Sequence, residues 1–211
     1  MTLRLYVATT NAGKLRDFAL AEGGNVEITP MPGLGSIPAP EEDEETFEGN
    51  ARLKAIYYSR FVSGEIVIAD DSGLEVDVLG GAPGVRSARY AEDAGYLANS
   101  GLLIDDRNNR CLIAALSEVA EVDRRSRYRC VLVAATDGKV VAVGVGTVEG
   151  VVLTRARGSG GFGYDPYFAP EGLDQSMAEL TPQARLALSH RARALRDLLP
   201  KLTDVARMLT Q

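Results

Sequence analysis

The pair Asp137-Gly138 lies between two apolar runs, Tyr128 to Ala135 and Val140 to Val148, and it restricts the fold more than any other local feature. An Asp-Gly pair supplies the positive φ angles that a two-residue hairpin turn needs, so the runs predict an antiparallel strand pair. Elsewhere strand-like and helix-like stretches alternate. Leu3 to Ala8 reads as a strand, residues 14 to 22 as a helix, and Ile66 onward as a further strand rich in β-branched residues. Such alternation builds α/β sheets with helices on their faces. The two patterns together predict an α/β fold, a central mixed β-sheet flanked by helices.

Other helices follow from caps and stripes. Thr46 suits an N-cap for a helix running to about Arg60, with Phe47, Ala51, Ala55 and Tyr58 on its apolar face and Asn50 and Lys54 sharing another. Residues 108 to 119 read as a short helix with Leu112, Ala115, Leu116 and Val119 on one side. A C-terminal helix opens at Thr181-Pro182, burying Leu188, Ala192, Leu195 and Leu199 and leaving Arg185, Ser189, His190 and Arg191 off the stripe. The acidic run Glu41 to Glu45 follows a Pro/Gly-rich connection and is expected to be solvated. Gly80 to Gly84 is expected to be a loop.

Bulk properties exclude several functions. At 211 residues the chain holds one large domain, or one domain with a subsidiary lobe. No apolar stretch approaches the roughly 20 residues that span a bilayer, and Met1 to Val7 enters a strand pattern without the basic and apolar regions of a secretory signal. A cytoplasmic protein with no membrane partner is expected. The net charge of −6 argues against coating nucleic acid. One histidine, His190, rules out multi-histidine zinc or iron sites. Cys111 and Cys130 lack a metal-ligand or CxxC spacing and read as buried thiols. Any metal would be a hard cation on carboxylate oxygens.

Three segments carry candidate chemistry. The strand from Ile66 stops on Asp70 and Asp71, acids not expected to be buried without a partner or a cation. If the chain stays extended there, the two point to opposite faces and do different jobs; the alternative is a strand-to-turn junction at Asp71-Ser72-Gly73. The loop Thr9-Thr10-Asn11-Ala12-Gly13-Lys14 offers hydroxyls, N–H groups and a lysine at a helix start, a common way of holding phosphate; the alternative is a simple helix cap. Around Gly158 to Asp165, four glycines in six residues let backbone approach a ligand, and Phe162 and Tyr164 offer a stacking surface for a planar base.

These segments, with Thr46-Phe47-Glu48-Gly49-Asn50-Ala51-Arg52-Leu53-Lys54-Ala55, Gly80 to Gly84 with Ser87-Ala88-Arg89-Tyr90, and Ser189-His190-Arg191, closely resemble the inosine/xanthosine triphosphate pyrophosphatases, the Ham1 or RdgB-like family. The likeness spans nearly the whole chain, with the motifs in family order. It implies Mg²⁺-dependent hydrolysis of ITP, dITP and XTP to monophosphate and pyrophosphate, by a homodimer. It also implies a single ITPase-like domain over residues 1–211, elongated and two-lobed, with the nucleotide in the cleft between the lobes. Carried over by position, Thr9, Thr10, Asn11, Ala12, Gly13 and Lys14 would hold phosphate and Lys54 would face the triphosphate as a catalytic residue. Asp71 would bind metal and accept a proton, Glu42 would be the second metal ligand, and Ser72 an adjacent substrate contact. Phe162, Gly163, Tyr164 and Asp165, with His190 and Arg191, would surround the base.

The chain departs from the family pattern at Thr10, at Glu44, and at Arg185, where a substrate-contacting lysine is usual. A guanidinium and an ammonium are not interchangeable, so Arg185 is expected to affect affinity or substrate preference. Two alternatives remain at this level: a nucleotide-binding regulatory protein without hydrolysis, and a Maf-like pyrophosphatase for other modified nucleotides.

Overall fold

The computed structural model describes residues 2–20 and 26–209. Six strands, β1 (Leu3–Val7), β2 (Val26–Pro30), β3 (Ile66–Val76), β4 (Arg125–Thr136), β5 (Lys139–Val152) and β6 (Phe168–Pro170), form one sheet in the order β2-β1-β3-β4-β5-β6. The helices α1 (Ala12–Leu20), α2 (Phe47–Ser59), α3 (Tyr90–Asp93) and α4 (Ile104–Ala115) run between them, and α5 (Pro182–Leu188) and α6 (His190–Leu209) follow the last strand. β1 pairs in parallel with β2 and β3, and β5 pairs antiparallel with β6. The sheet is therefore mixed and helix-flanked, as expected. The hairpin turn takes φ 47° at Asp137 and 77° at Gly138, the double positive φ that matches the twist of paired strands. It is pinned further: Asp137 Oδ1 accepts from the Ser63 hydroxyl (2.9 Å) and the Gly64 N–H (3.1 Å).

The chain divides into two compact units, Met1–Asp71 with Cys130–Gly146 and Ser189–Gln211, and Ser72–Arg129 with Thr147–Leu188. The first has a core of Leu5, Val7, Phe18, Ile28, Ile68, Leu132, Ala194, Leu195, Leu198 and Leu202. On β5, a Cβ at Gly146 would lie 2.1 Å from the His190 carbonyl oxygen, so only glycine lets the start of α6 rest on the strand. The second unit packs Leu74, Val76, Leu112, Leu116, Tyr128, Tyr164, Phe168 and Met177 together, with the Tyr128 and Phe168 ring centroids 4.5 Å apart.

Several sequence expectations need correction. The strand does not stop at the two acids: β3 runs on to Val76. Gly73 is not a turn residue there, since a Cβ would lie 2.3 Å from Ser87 Oγ, and the Leu74 N–H donates to that hydroxyl. Close approach of backbone, not turn chemistry, explains the glycine. The first helix begins at Ala12 because Asn11 Oδ1 accepts from the N–H groups of Gly13 (2.8 Å) and Lys14 (3.1 Å) and caps it; residues 21 and 22 of that expected helix lie outside the described residues. α4 starts four residues before 108, stops at Ala115, and leaves Ala115 exposed. The Arg124 guanidinium donates to the Leu116 and Val119 carbonyls beyond its end.

The C-terminal helix is two helices. Ser189 interrupts it, and its hydroxyl accepts from the Ala192 N–H (3.1 Å) to cap α6. That restart shifts the apolar phase, so α6 buries His190, Arg191, Ala194, Leu195, Leu198 and Leu202. Of the expected stripe only Leu195 is fully buried, and Ser189, His190 and Arg191, placed off the stripe from sequence, are all inside. Cys111 and Cys130 are free, buried thiols, as expected.

Candidate active site

Because β3 stays extended through Asp70 and Asp71, alternation sends the two carboxylates to opposite faces, and each meets a different set of partners. Asp70 follows Ile66 and Ile68 in register. Its Oδ2 lies 2.8 Å from Lys14 Nζ at the start of α1 and 3.7 Å from Arg191 Nε at the start of α6. Arg191 is held in turn by Asp17, 3.1 Å away and one turn beyond Lys14 on α1. Burial works to raise the Asp70 pKa, but Lys14, Arg191 and Lys54 overcome it and hold the carboxyl well below its usual range. Asp70 is thus a permanent anion inside a cationic cage.

Asp71 faces α2. Its Oδ2 accepts from the Asn50 amide (3.1 Å), and its Oδ1 lies 3.7 Å from Lys54 Nζ, which is itself 2.6 Å from Glu42 Oε2. Asn50 and Lys54 are four apart on the helix, the spacing that puts two side chains on one face. Lys54 is only 9% exposed, against the ordinary expectation for a helical lysine. Burial works to lower its pKa, but Asp71, Asp70 and Glu42 outweigh that and raise it, so it is an ammonium. Burial pushes the Asp71 carboxyl above its usual range, and Lys54, Lys14 and the Asn50 amide offset this only in part. Adjacent acids therefore have opposed protonation behaviour: Asp70 stays ionised, while Asp71 has the proton affinity that suits an acceptor.

Among the described residues no cluster of three or more His, Cys, Asp or Glu side chains could by itself hold a metal ion. The donor set at Glu42 and Asp71 nevertheless fits Mg²⁺, which takes one or two carboxylates and fills its remaining positions with water and substrate phosphate. A carboxyl raised by burial, as Asp71 is, is also one that a cation would stabilise in its ionised form.

Of the first loop, Thr10, Asn11 and Ala12 are exposed, Thr9 and Lys14 half-buried and Gly13 buried. The Asn11 side chain is used as the cap of α1, and Thr9 Oγ1 accepts from the Asn11 N–H (3.2 Å). His190 is 4% exposed; burial and the neighbouring Arg191 and Lys14 hold its pKa well below the usual value, with Asp70 opposing. The folded protein therefore carries a neutral imidazole. The unfolded chain takes up a proton below about pH 6.5 that the folded chain does not, so stability is lost as pH falls through that value. A proton NMR titration of this sole histidine is expected to show no inflection near the ordinary imidazole value, any inflection lying well below it, and an inflection near 6.5 would refute the assignment.

Ser72, Phe162 to Asp165 and Arg185 belong to the second unit. The glycine-rich loop there is tightly held. The Gly163 N–H donates to Asp105 Oδ2 (2.8 Å), and its carbonyl accepts from Asn109 (2.9 Å). The Tyr164 hydroxyl donates to the Ser87 carbonyl (2.8 Å). Asp165 accepts from the Phe162 N–H and the Tyr128 hydroxyl, 3.1 Å each. Tyr164 and Asp165 are buried, whereas Phe162 and Gly163 are half-exposed and available to a ligand. A Cβ at Gly160 would lie 2.8 Å from an Arg185 guanidinium nitrogen, so Arg185 packs against this loop.

Sequence reasoning placed Asn50 beside Lys54 but not in the site, and missed Asp17, Asp105 and Asn109. The usable signals were spacings: Asp17 lies three after Lys14, and Asp105 and Asn109 are four apart on one helix.

Comparison with known proteins bears on these residues. A protein named dITP/XTP pyrophosphatase from Acidobacterium capsulatum is 54% identical over 203 residues, covering 96% of this chain and 99% of that protein. One of the same name from Bacillus licheniformis is 43% identical over 194 residues, covering 91% and 94%. Among solved structures, the Staphylococcus aureus Ham1 protein matches with a TM-score of 0.77 at 33% identity, covering 97% of this chain and 99% of that one. The model of the Ham1 family matches residues 5–201, a span that takes in the Lys14–Asp70–Arg191 cage, the Glu42–Lys54–Asp71–Asn50 cluster and the glycine-rich loop, and on these grounds the chain belongs to the Ham1 family.

Proposed function

We propose that this protein hydrolyses the non-canonical purine nucleotides ITP, dITP and XTP, with Mg²⁺, to the nucleoside monophosphate and pyrophosphate. The observation that carries the reading is the Glu42–Lys54–Asp71–Asn50 cluster in a chain 54% identical to a dITP/XTP pyrophosphatase. Such hydrolysis needs neutralised phosphate oxygens and an oriented water. Bound at Glu42 and Asp71, Mg²⁺ would neutralise phosphate charge. Lys54 adds a buried ammonium for the triphosphate, and the N-terminus of α1 with Thr9 to Lys14 offers N–H groups and a second ammonium. Asp71 takes the proton of the attacking water as its oxygen bonds to phosphorus and pyrophosphate leaves. The exposed part of the Phe162 to Asp165 loop is the proposed base contact, with Arg185, His190 and Arg191 as further substrate contacts. Selection of a 6-oxo purine requires donors, since an oxo group accepts where the amino group of adenine donates.

The homodimer and the cytoplasmic location are part of the same proposal, supported by the resemblance; among the described residues no helix is long and apolar enough to cross a membrane. Steady-state turnover of a nucleotide panel with Mg²⁺ tests the function. The expected result is a kcat/KM for ITP and XTP about a hundredfold or more above that for ATP and GTP, the scale polar recognition can supply. Equal turnover of all four would remove the purine selectivity, turnover confined to modified pyrimidines would favour a Maf-like enzyme, and no turnover would leave a binding protein.

A further inference from the structure

We propose that Asn50 is a positioning residue of the hydrolytic centre, its single amide tying the carboxylate of Asp71 to the backbone of the acidic segment that carries Glu42. This rests on the reading of Asp71 as the proton acceptor. Asn50 is 1% exposed and sits in the first turn of α2. Asparagine is a mediocre helix former, and burying an amide costs free energy unless its donors and acceptor are used. Here both ends are used. Nδ2 donates to Asp71 Oδ2 (3.1 Å) and to the Glu44 carbonyl (3.3 Å), while Oδ1 accepts from the Glu44 N–H (3.2 Å).

The pattern sets the amide orientation, because flipping it would bring oxygen against two acceptors and the NH₂ group against an N–H. It also excludes substitutes: an ionised aspartate has no donor, a leucine neither donor nor acceptor, and a glutamine is a methylene longer. The neighbouring residue serves the same approach. At Gly49 a Cβ would lie 2.8 Å from the Glu44 Cβ, so glycine lets the acidic segment lie close to the helix. A run of like charge expected to be solvated is thereby fixed at Glu44, two residues from Glu42, and Glu42 in turn reaches Lys54, one helical turn past Asn50. Asn50 thus holds the water-activating acid and the second proposed metal ligand at one spacing.

The test compares wild type, Asn50→Ala and Asn50→Asp for ITP turnover with saturating Mg²⁺, each also in an Asp71→Asn background, with thermal melts to verify folding. Asn50→Asp keeps an acceptor for the Glu44 N–H and serves if the alanine variant fails to fold. The expected result is a kcat about 30- to 100-fold lower with KM within threefold, and no further loss in the Asp71→Asn background, because a residue acting through Asp71 is non-additive with it. A folded variant with kcat within twofold of wild type, a change in KM alone, or full additivity would overturn the proposal. If the wild type itself releases no monophosphate from ITP, the hydrolytic reading fails and this one with it, an outcome distinct from active wild type and equally active variants.

Discussion

Asp71→Asn is expected to lower kcat by about a thousandfold or more while the protein remains folded. A positioned general base contributes about 10²- to 10⁴-fold, and this substitution also weakens the proposed cation site. Asparagine keeps the shape, and its carbonyl oxygen can still accept from the Asn50 amide that now reaches Asp71 Oδ2. The Lys54–Glu42 pair at 2.6 Å does not involve residue 71. Removing a carboxylate that burial already disfavours in its ionised form is expected to change stability by no more than about 1 kcal/mol. Turnover of ITP with circular dichroism and a thermal melt reads both halves. Near-normal turnover in a folded variant would remove Asp71 from the centre of the mechanism.

The preceding residue is expected to behave in the opposite way. Asp70→Ala strips the only carboxylate placed between Lys14 and Arg191 among the described ion pairs, leaving two half-buried or buried cations facing each other. Removing one partner of a buried ion pair costs about 3–5 kcal/mol, much of it the penalty of the charges left behind. Asp17 still holds Arg191, so the lower part of that range is expected. Urea denaturation of Asp70→Ala beside wild type measures it, and a loss below about 1 kcal/mol would show that the cage contributes little.

This contrast also marks what was legible in the chain. The alternation rule predicted different jobs for Asp70 and Asp71 if extension persisted, and the Asp-Gly hairpin, the Thr46 cap and the α2 stripe all formed where local rules place them. Local turn propensity misled at Ser72-Gly73, where tertiary contact with Ser87 and Gly84 decides the conformation. Only the Lys14–Asp17 spacing of the cage was readable, because residues 70 and 191 join it only once the sheet has folded. Burial of His190 and Arg191 depends on the helix restart at Ser189, which a continuous periodicity cannot show. Asn50 was visible as a neighbour of Lys54, yet its role needs the Glu44 backbone, and no residue pattern encodes where that backbone passes.

The central claim, cleavage to monophosphate and pyrophosphate, is tested most directly by phosphorus NMR of ITP incubated with the protein and Mg²⁺. The account predicts inosine monophosphate and pyrophosphate growing in equal amounts from the first time point, with no diphosphate and no orthophosphate. Inosine diphosphate with orthophosphate, or an unchanged triphosphate spectrum, would contradict it.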